Sequence, residues 1–532
     1  MSNKTSCDAE KNDDYLQDRP AVYVEDPALD LYEEGSIDPV YRAKARVLSC
    51  AIQEIGMGKY QWYLFAVTGF GWFADSVWPL LGGLILSPVI AEFEFQGPFL
   101  SLALNIGLFV GAVWSFNITL FIAGAFGLAA GGSPNFVTLA SLLAILGLGV
   151  GGNLPVDSAV FLDFVPGSHQ YLLTILSIWW SVGQLVASLI AWPLIANFSC
   201  PQGSSTCARA DNMGWRYLLF TLGAMTLLLW GIRFFAFPLA ESPRFLVGRG
   251  RDADAVAVIK RVAAFNGRTC SLTVEHLTSA GEKAGPSQTR AVLSGSSAFS
   301  MDHIRCLFQT PKMAWSTSLL IALWGIIGLA STLYNSFLPY LLASRGARFG
   351  DSTYYTTYRN QVILGVIGVP GAFLAGWAVE QPYLGRRGTL ALFAGNVPMA
   401  HRGVLVREHH RAELQRAPRV ELRVRILQQR EQRIRCVLHT GCMLMGWWDA
   451  VRQIMYGVLY ALSPEVFPAK DRGTGNGLTA TATRVFGILA PVIALYANLA
   501  TAVPVYVSGA LIIGSGLLAL LLPYEPRGKT SL

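Results

Sequence analysis

Long apolar runs alternate with short polar breaks from residue 62 to residue 523. Each run approaches the ~20 residues that carry a helix across a hydrocarbon core of ~30 Å. The pattern predicts spans at 62–89, 97–113, 116–132, 136–164, 172–196 and 215–237. A polar segment, 239–312, separates these six from a second set at 313–341, 358–379, an interrupted region from 389, 443–462, 475–498 and 502–523. The strict alternation of a transmembrane barrel strand is absent. The chain reads as an all-α polytopic membrane protein, with nominally 12 spans in two six-helix halves, 37–238 and 313–524, joined by a cytoplasmic linker.

Outside the spans the pattern changes. Residues 1–36 are acidic, polar and without periodicity, which predicts a disordered tail, and 525–532 read as a short cytoplasmic tail. Between 39 and 56, Pro39, Val40, Ala43, Val47, Leu48, Ile52 and Ile55 recur at helical spacing. That predicts an amphipathic helix lying on the membrane surface, with a plain polar linker as the competing reading.

Composition supports the class. Hydrophobic residues make up 52% of the chain and charged residues only 14%, where a soluble protein carries about 25%. The net charge of +7 does not imply nucleic acid, because Lys and Arg fall mainly between the runs. Arg244, Arg249, Arg251, Lys260, Arg261 and Arg268 mark the linker as cytoplasmic, and Arg386, Arg387, Lys470, Arg472 and Arg527 fall on the same side. Both termini are then cytoplasmic, and the plasma membrane is favoured over an organelle. The polar, acidic start carries no cleavable signal peptide pattern. Loop 197–214 falls outside, where Asn197 heads a glycosylation sequon and Cys200 and Cys207 are close enough for a disulfide. A second sequon at Asn117 is left unused by this topology.

Charges inside the runs carry the candidate chemistry. Asp75 sits alone in the first run, where a carboxylate costs several kcal/mol unless it meets a partner or a water path. A proton or substrate site is the reading this favours, against a carboxyl that only fixes packing. Arg484 lies about two and a half turns into the run 475–498. A guanidinium there can clamp a carboxylate, or else snorkel to the interface. Asn153, Asp157, Gln184, Asn335 and Gln361 are further polar groups within runs. Of Trp72, Trp78, Trp179, Trp180 and Trp324, the two that flank Asp75, Trp72 and Trp78, are retained as site candidates. Glycines 147, 149, 151 and 152 strip one helix of side chains, for close packing rather than substrate contact.

Four motifs carry a resemblance. They are Ala51 to Trp62 followed by Trp72-Phe73-Ala74-Asp75, Gly147 to Val156 with Asp163-Phe164-Val165-Pro166, Glu241-Ser242-Pro243-Arg244-Phe245-Leu246, and Pro464-Glu465-Val466-Phe467-Pro468 continuing to Arg472 and Gly473. In this order the chain resembles the major facilitator superfamily, in its synaptic-vesicle-protein-like and sugar-porter-like branch. The resemblance implies alternating access between two halves, a proton acceptor at Asp75, and an arginine for anionic substrates at Arg484. It also implies that Gln184 and Asn335 lie on spans that bond sugar hydroxyls. Charges at cytoplasmic helix ends, Asp163, Glu241 with Arg244, Glu380 with Arg386 and Arg387, and Glu465 with Arg472, look like latches that hold the halves closed.

Two stretches depart from that family. Its loop Gly-x-x-x-Asp-x-x-Gly-Arg-Arg is missing between the second and third runs, and no charge falls from Gly97 to Gly132. These residues make either a thin hairpin or a single span that would invert the topology. Residues 396–441 hold His401, Arg402, Arg407, His409, Arg411, Arg416, Arg419, Arg423, Arg425, Arg430, Arg433 and Arg435, without lysine or periodicity. Such a segment cannot cross a bilayer. Read literally it is a basic helix or loop that binds anionic lipid or nucleic acid; Arg without Lys between family-like flanks points instead to a wrong frame or an intron, with the family pattern back near Gly446.

The expected function is secondary transport of a small polar solute, an organic anion or carboxylate before a sugar, coupled to protons, by a monomer. The rival readings are a non-transporting receptor or scaffold, and an inactive product of a defective gene model. No cofactor or metal is expected: nucleotide-binding loop, catalytic triad and metal-type cysteine spacing are all missing, so neither an enzyme nor an ATP-driven pump fits.

Overall fold

The computed structural model describes residues 38–113, 118–200, 207–237, 239–284, 301–349, 354–395, 450–467, 472–496 and 503–525. The acidic tail and the Arg-rich segment 396–441 lie outside them. Among the described residues every regular element is a helix. Six helices are long and apolar enough to span a membrane: Lys59–Phe93, Gly167–Phe198 (counted with its short leading turns), Gly214–Phe235, Pro311–Leu333, Thr357–Val379 and Arg472–Tyr496. Shorter apolar helices at Pro98–Ala112, Thr119–Gly131, Phe136–Val150 and Val507–Ala519 accompany them.

The uncharged stretch folds as a hairpin, not as one span. Its arms, Pro98–Val113 and Thr119–Gly131, are ~24 Å and ~20 Å long at 1.5 Å per residue, both below the ~30 Å of a hydrocarbon core. The Thr119 hydroxyl bonds the Asn153 side chain, so the second arm starts level with the middle of the following run. That run is itself two helices, Phe136–Val150 and Asn153–Phe164, broken at Gly151 and Gly152. Its glycines admit the first arm closely. A Cβ on Gly107 would stand 1.9 Å from the Ala144 carbonyl oxygen, and one on Gly147 2.5 Å from that of Leu104.

The first helix corrects an expectation. Pro39–Ile55 is amphipathic and capped by Asp38, but its apolar face does not lie on lipid. Ala45, Leu48 and Ala51 are fully buried, in a core shared with the linker helices Pro243–Gly248, Asp252–Phe265 and Val274–Lys283. Lys44 pairs with Asp252 at 2.5 Å, and Glu54 accepts the Ser271 hydroxyl at 3.2 Å. The Arg268 guanidinium bonds the Ile55 carbonyl. Periodicity reveals that a helix has an apolar face but not what covers it. The cap is tied to the bundle where the Asn266 side chain accepts the Tyr60 N–H at 2.8 Å.

At the opposite end a buried knot closes the N-terminal half. Glu92 accepts from Arg216 at 2.6 and 2.8 Å, from Asn212 at 3.0 Å and from the Trp215 indole at 3.1 Å. Arg216 also donates to the Ser133 carbonyl at 3.2 Å and lies 4.0 Å from the Trp215 ring centroid. The same loop carries the Cys200–Cys207 disulfide, and exposed Asn197 sits in the last turn of Ile178–Phe198.

Candidate functional site

Asp75 lies near the middle of Lys59–Phe93 and is 1% exposed. Pro79, one turn on, has no N–H and leaves the Asp75 backbone carbonyl without its usual donor. From the other half, Arg484 on Arg472–Tyr496 donates to the Asp75 carboxylate at 2.6 Å. The pair lines a cavity of about 50 Å³ between the halves. Among the described residues the second Asp75 carboxylate oxygen and the Arg484 Nε have no hydrogen-bond partner. A buried ion pair with a free lone pair and a free N–H is incomplete as structure and suited to a ligand.

An aromatic wall stands beside the pair. Trp180, Tyr456 and Tyr460 line the cavity, with ring centroids 5.0 Å apart for Trp180–Tyr456 and 6.1 Å for Tyr456–Tyr460. Trp72 is set behind them, 4.7 Å from Tyr460. Trp324 braces Tyr460 from the far side at 4.3 Å, its indole N–H bonded to the Ser463 hydroxyl at 2.7 Å. Ser101 and Asn105 of the short hairpin add polar lining.

Other sequence candidates fall elsewhere. Trp78 turns to the hairpin, where a Cβ on Gly127 would meet its ring at 2.3 Å. Asn153 is engaged with Thr119. Asp157 does not line this cavity: Arg233 holds it at 2.5 and 3.1 Å inside the N-terminal half. Gln184 accepts from Gln453 at 2.9 Å and from Arg452 at 3.3 Å, a buried polar contact across the halves. Asn335 belongs to Pro311–Phe349, but its side chain lies outside the described residues.

The latches re-pair. Arg472 meets Asp163 at 2.5 Å rather than Glu465. Asp163 also receives Arg244 at 3.5 Å and the Ser242 hydroxyl. Glu465 instead takes Arg386 at 2.9 and 3.0 Å, which reaches Glu380 at 3.4 Å. Glu241 pairs with Arg251 at 3.3 Å in an exposed contact. The Arg387 backbone N–H donates to Glu525 at 3.1 Å, and its guanidinium bonds the Leu520 carbonyl. Glu380 pairs with Arg386 as the sequence grouping has it, whereas Asp163–Arg472 and Arg386–Glu465 join helix ends 309 and 79 residues apart.

Sequence reasoning missed Arg233, Arg452, Gln453 and the Glu92–Arg216 knot. The cost argument that singled out Asp75 applies equally to Arg452, inside the run 443–462. The retention of only Trp72 and Trp78 passed over Trp180, since sequence adjacency to Asp75 is not cavity adjacency.

Two helical halves around a central ion pair, closed at one end by charges from both, define a multi-pass secondary transporter of the major facilitator fold. The chain belongs to the sugar (and other) transporter family, whose pattern matches residues 105–524. It is 68% identical, over 99% of both chains, to the MFS siderochrome iron transporter 1 of Ceriporiopsis subvermispora. That alignment runs to 549 positions, longer than the chain, so the relative carries residues absent here. It is 24% identical to the niacin transporter NiaP of Acinetobacter baylyi, over 83% of this chain and 88% of that one. Among solved structures it is similar to the proton:xylose symporter XylE bound to 6-bromo-6-deoxy-D-glucose. There the TM-score is 0.62 at 15% identity, covering 89% of this chain and 98% of XylE.

Proposed function

We propose that the protein moves a small organic anion, a carboxylate before a sugar, together with protons by alternating access. The observation that carries this reading is the 2.6 Å contact of Arg484 with Asp75 in a cavity lined by both halves. A substrate carboxylate and the Asp75 carboxylate compete for one guanidinium. Protonating Asp75 weakens its hold and frees Arg484 for the substrate, so proton and anion enter together. The aromatic wall of Trp180, Tyr456 and Tyr460 gives the apolar part of such a solute a surface to lie against. Niacin, the solute in the name of one relative, is an aromatic carboxylate.

The end bearing the linker is cytoplasmic by its positive charge, and the plasma membrane is the site of action. Asn153, Asp157 and Trp78 act in packing the N-terminal half, while Gln184 belongs to the contact between halves. A cavity of about 50 Å³ is far below the ~300 Å³ of a small-molecule site, so substrate entry requires the halves to part.

Uptake of a labelled panel of carboxylates, sugars and vitamins into proteoliposomes under an imposed pH gradient tests the reading. Gradient-driven entry of a carboxylate that Asp75→Asn uncouples is the expected result. Uptake with unchanged pH dependence in Asp75→Asn removes Asp75 from coupling. The name of the 68% identical relative supports a second reading, an iron-bearing siderophore. A ferric siderophore belongs in the same panel, and its preferential uptake would replace the small carboxylate.

A further inference from the structure

Asp163–Arg472 holds the halves together at the linker end, and the opposite end has a cross-half contact of a different kind. The Tyr358 hydroxyl, on Tyr354–Val379 of the C-terminal half, donates to the Leu84 backbone carbonyl, on Lys59–Phe93 of the N-terminal half. Leu84 has an acceptor to spare for a chemical reason. Its helical donor would be the N–H of residue 88, and residue 88 is proline. The orphaned carbonyl lies in protein, where it needs a donor. Tyr358 is 3% exposed and supplies one from across the interface.

The surroundings fix this point on the rigid half. The Pro88 carbonyl accepts the Asn212 side chain at 2.8 Å, and Asn212 belongs to the Glu92–Arg216 knot. Leu84 lies nine residues beyond Asp75 on the same helix, ~13 Å further along the axis. Arg472 lies twelve residues before Arg484 on its helix, ~18 Å toward the linker end. The central ion pair is therefore bracketed by a polar cross-half contact toward each end.

We propose that the Tyr358 hydroxyl and the Pro88-orphaned Leu84 carbonyl form the gate at the end away from the linker, broken whenever the site opens to that side. One neutral hydrogen bond is weak enough to break in each cycle and is directional enough to register the closed state. This rests only on motion between two open states, not on which solute is carried. Its failure leaves the carboxylate reading untouched.

The test uses the full chain in sealed vesicles with Ser101→Cys as reporter, since Ser101 lines the cavity and is 2% exposed. A membrane-impermeant methanethiosulfonate is applied separately to each side, and labelling of residue 101 is followed by mass spectrometry. Tyr358→Phe keeps the ring and removes the donor. Pro88→Ala returns an N–H to Leu84 within its own helix and so removes the need for Tyr358. Each variant is expected to speed labelling from the side of the Cys200–Cys207 loop by about two- to tenfold, the worth of one net hydrogen bond. Labelling from the linker side should slow, as a shift of population requires. Tyr354→Phe, one turn earlier on the same helix, should leave both rates unchanged. If Pro88→Ala does not fold, Tyr358→Phe alone decides, because it keeps the buried volume. Unchanged rates in Tyr358→Phe, or the same acceleration in Tyr354→Phe, overturn the proposal.

Discussion

Asp163 and Arg472 stand 2.5 Å apart across the two halves, although 309 residues separate them in sequence. Their side chains are 9% and 2% exposed, so the contact is a buried pair at the linker end of the bundle. The superfamily loop between the second and third spans is missing, and this pair joins the halves directly.

Asp163→Asn is expected to destabilise the state closed at the linker end by about 3–5 kcal/mol, the cost of breaking a buried ion pair by removing one partner's charge. Faster labelling of a cavity cysteine from the linker side reads this out. The exchange Asp163→Arg with Arg472→Asp should recover part of the loss, and a double-mutant cycle without coupling between the two sites would refute the pairing.

Arg484→Lys preserves charge but not the planar fork. Loss of a charged hydrogen bond should raise KM about 10- to 100-fold for a carboxylate substrate, with a smaller effect on kcat. Equal losses for a neutral sugar would point to a structural arginine instead.

Glu92→Gln should lower thermal stability without changing the pH profile of transport. The Glu92 carboxylate holds Arg216, Trp215 and Asn212 at once. Removing its charge leaves Arg216, which is fully buried, short of a counter-ion, at a cost of about 3–5 kcal/mol. Unfolding followed by tryptophan fluorescence in detergent is the measurement, and an unchanged midpoint would dismiss the knot as a stabiliser.

Gly107→Ala should fail to reach the membrane in native form. Its added Cβ would lie 1.9 Å from the Ala144 carbonyl oxygen, which is backbone and cannot step aside. Normal yield and a normal melting profile would contradict that close approach.

Cys270 reports on the cap outside the membrane. Burial pushes its thiol above the usual range, and the Leu272 backbone hydrogen bond only partly offsets that. A raised value means less thiolate at neutral pH, so alkylation should be slower than in the unfolded chain and should quicken as pH rises. Glu54→Ala, which frees Ser271 beside it, should speed the reaction. No response would mean that the first helix does not clamp the linker there.

Six of the twelve expected spans recur as helices long and apolar enough to cross a membrane, and they were legible because hydrophobicity over ~20 residues is a local property that the bilayer reads directly. Asp75 and Arg484 were legible for the same reason, since charge inside an apolar run stands out without any partner being known. The partners were not legible. Glu465 lies seven residues from Arg472, yet it binds Arg386 at 2.9 Å. The amphipathic stretch 39–55 looked like a lipid-surface helix because its apolar stripe is the same whether lipid or protein covers it.

By itself the sequence determined that this is a helical membrane protein with a charged centre, because the energies of burying apolar runs and isolated charges depend on local sequence, while its motifs carried the resemblance to a transporter family. Only the tertiary structure decided which charges meet. Asp75 and Arg484 are 409 residues apart, and Leu84 and Tyr358 are 274 apart. Such contacts depend on how helices pack side by side, and that is fixed by interlocking side chains and orphaned backbone groups rather than by spacing along the chain.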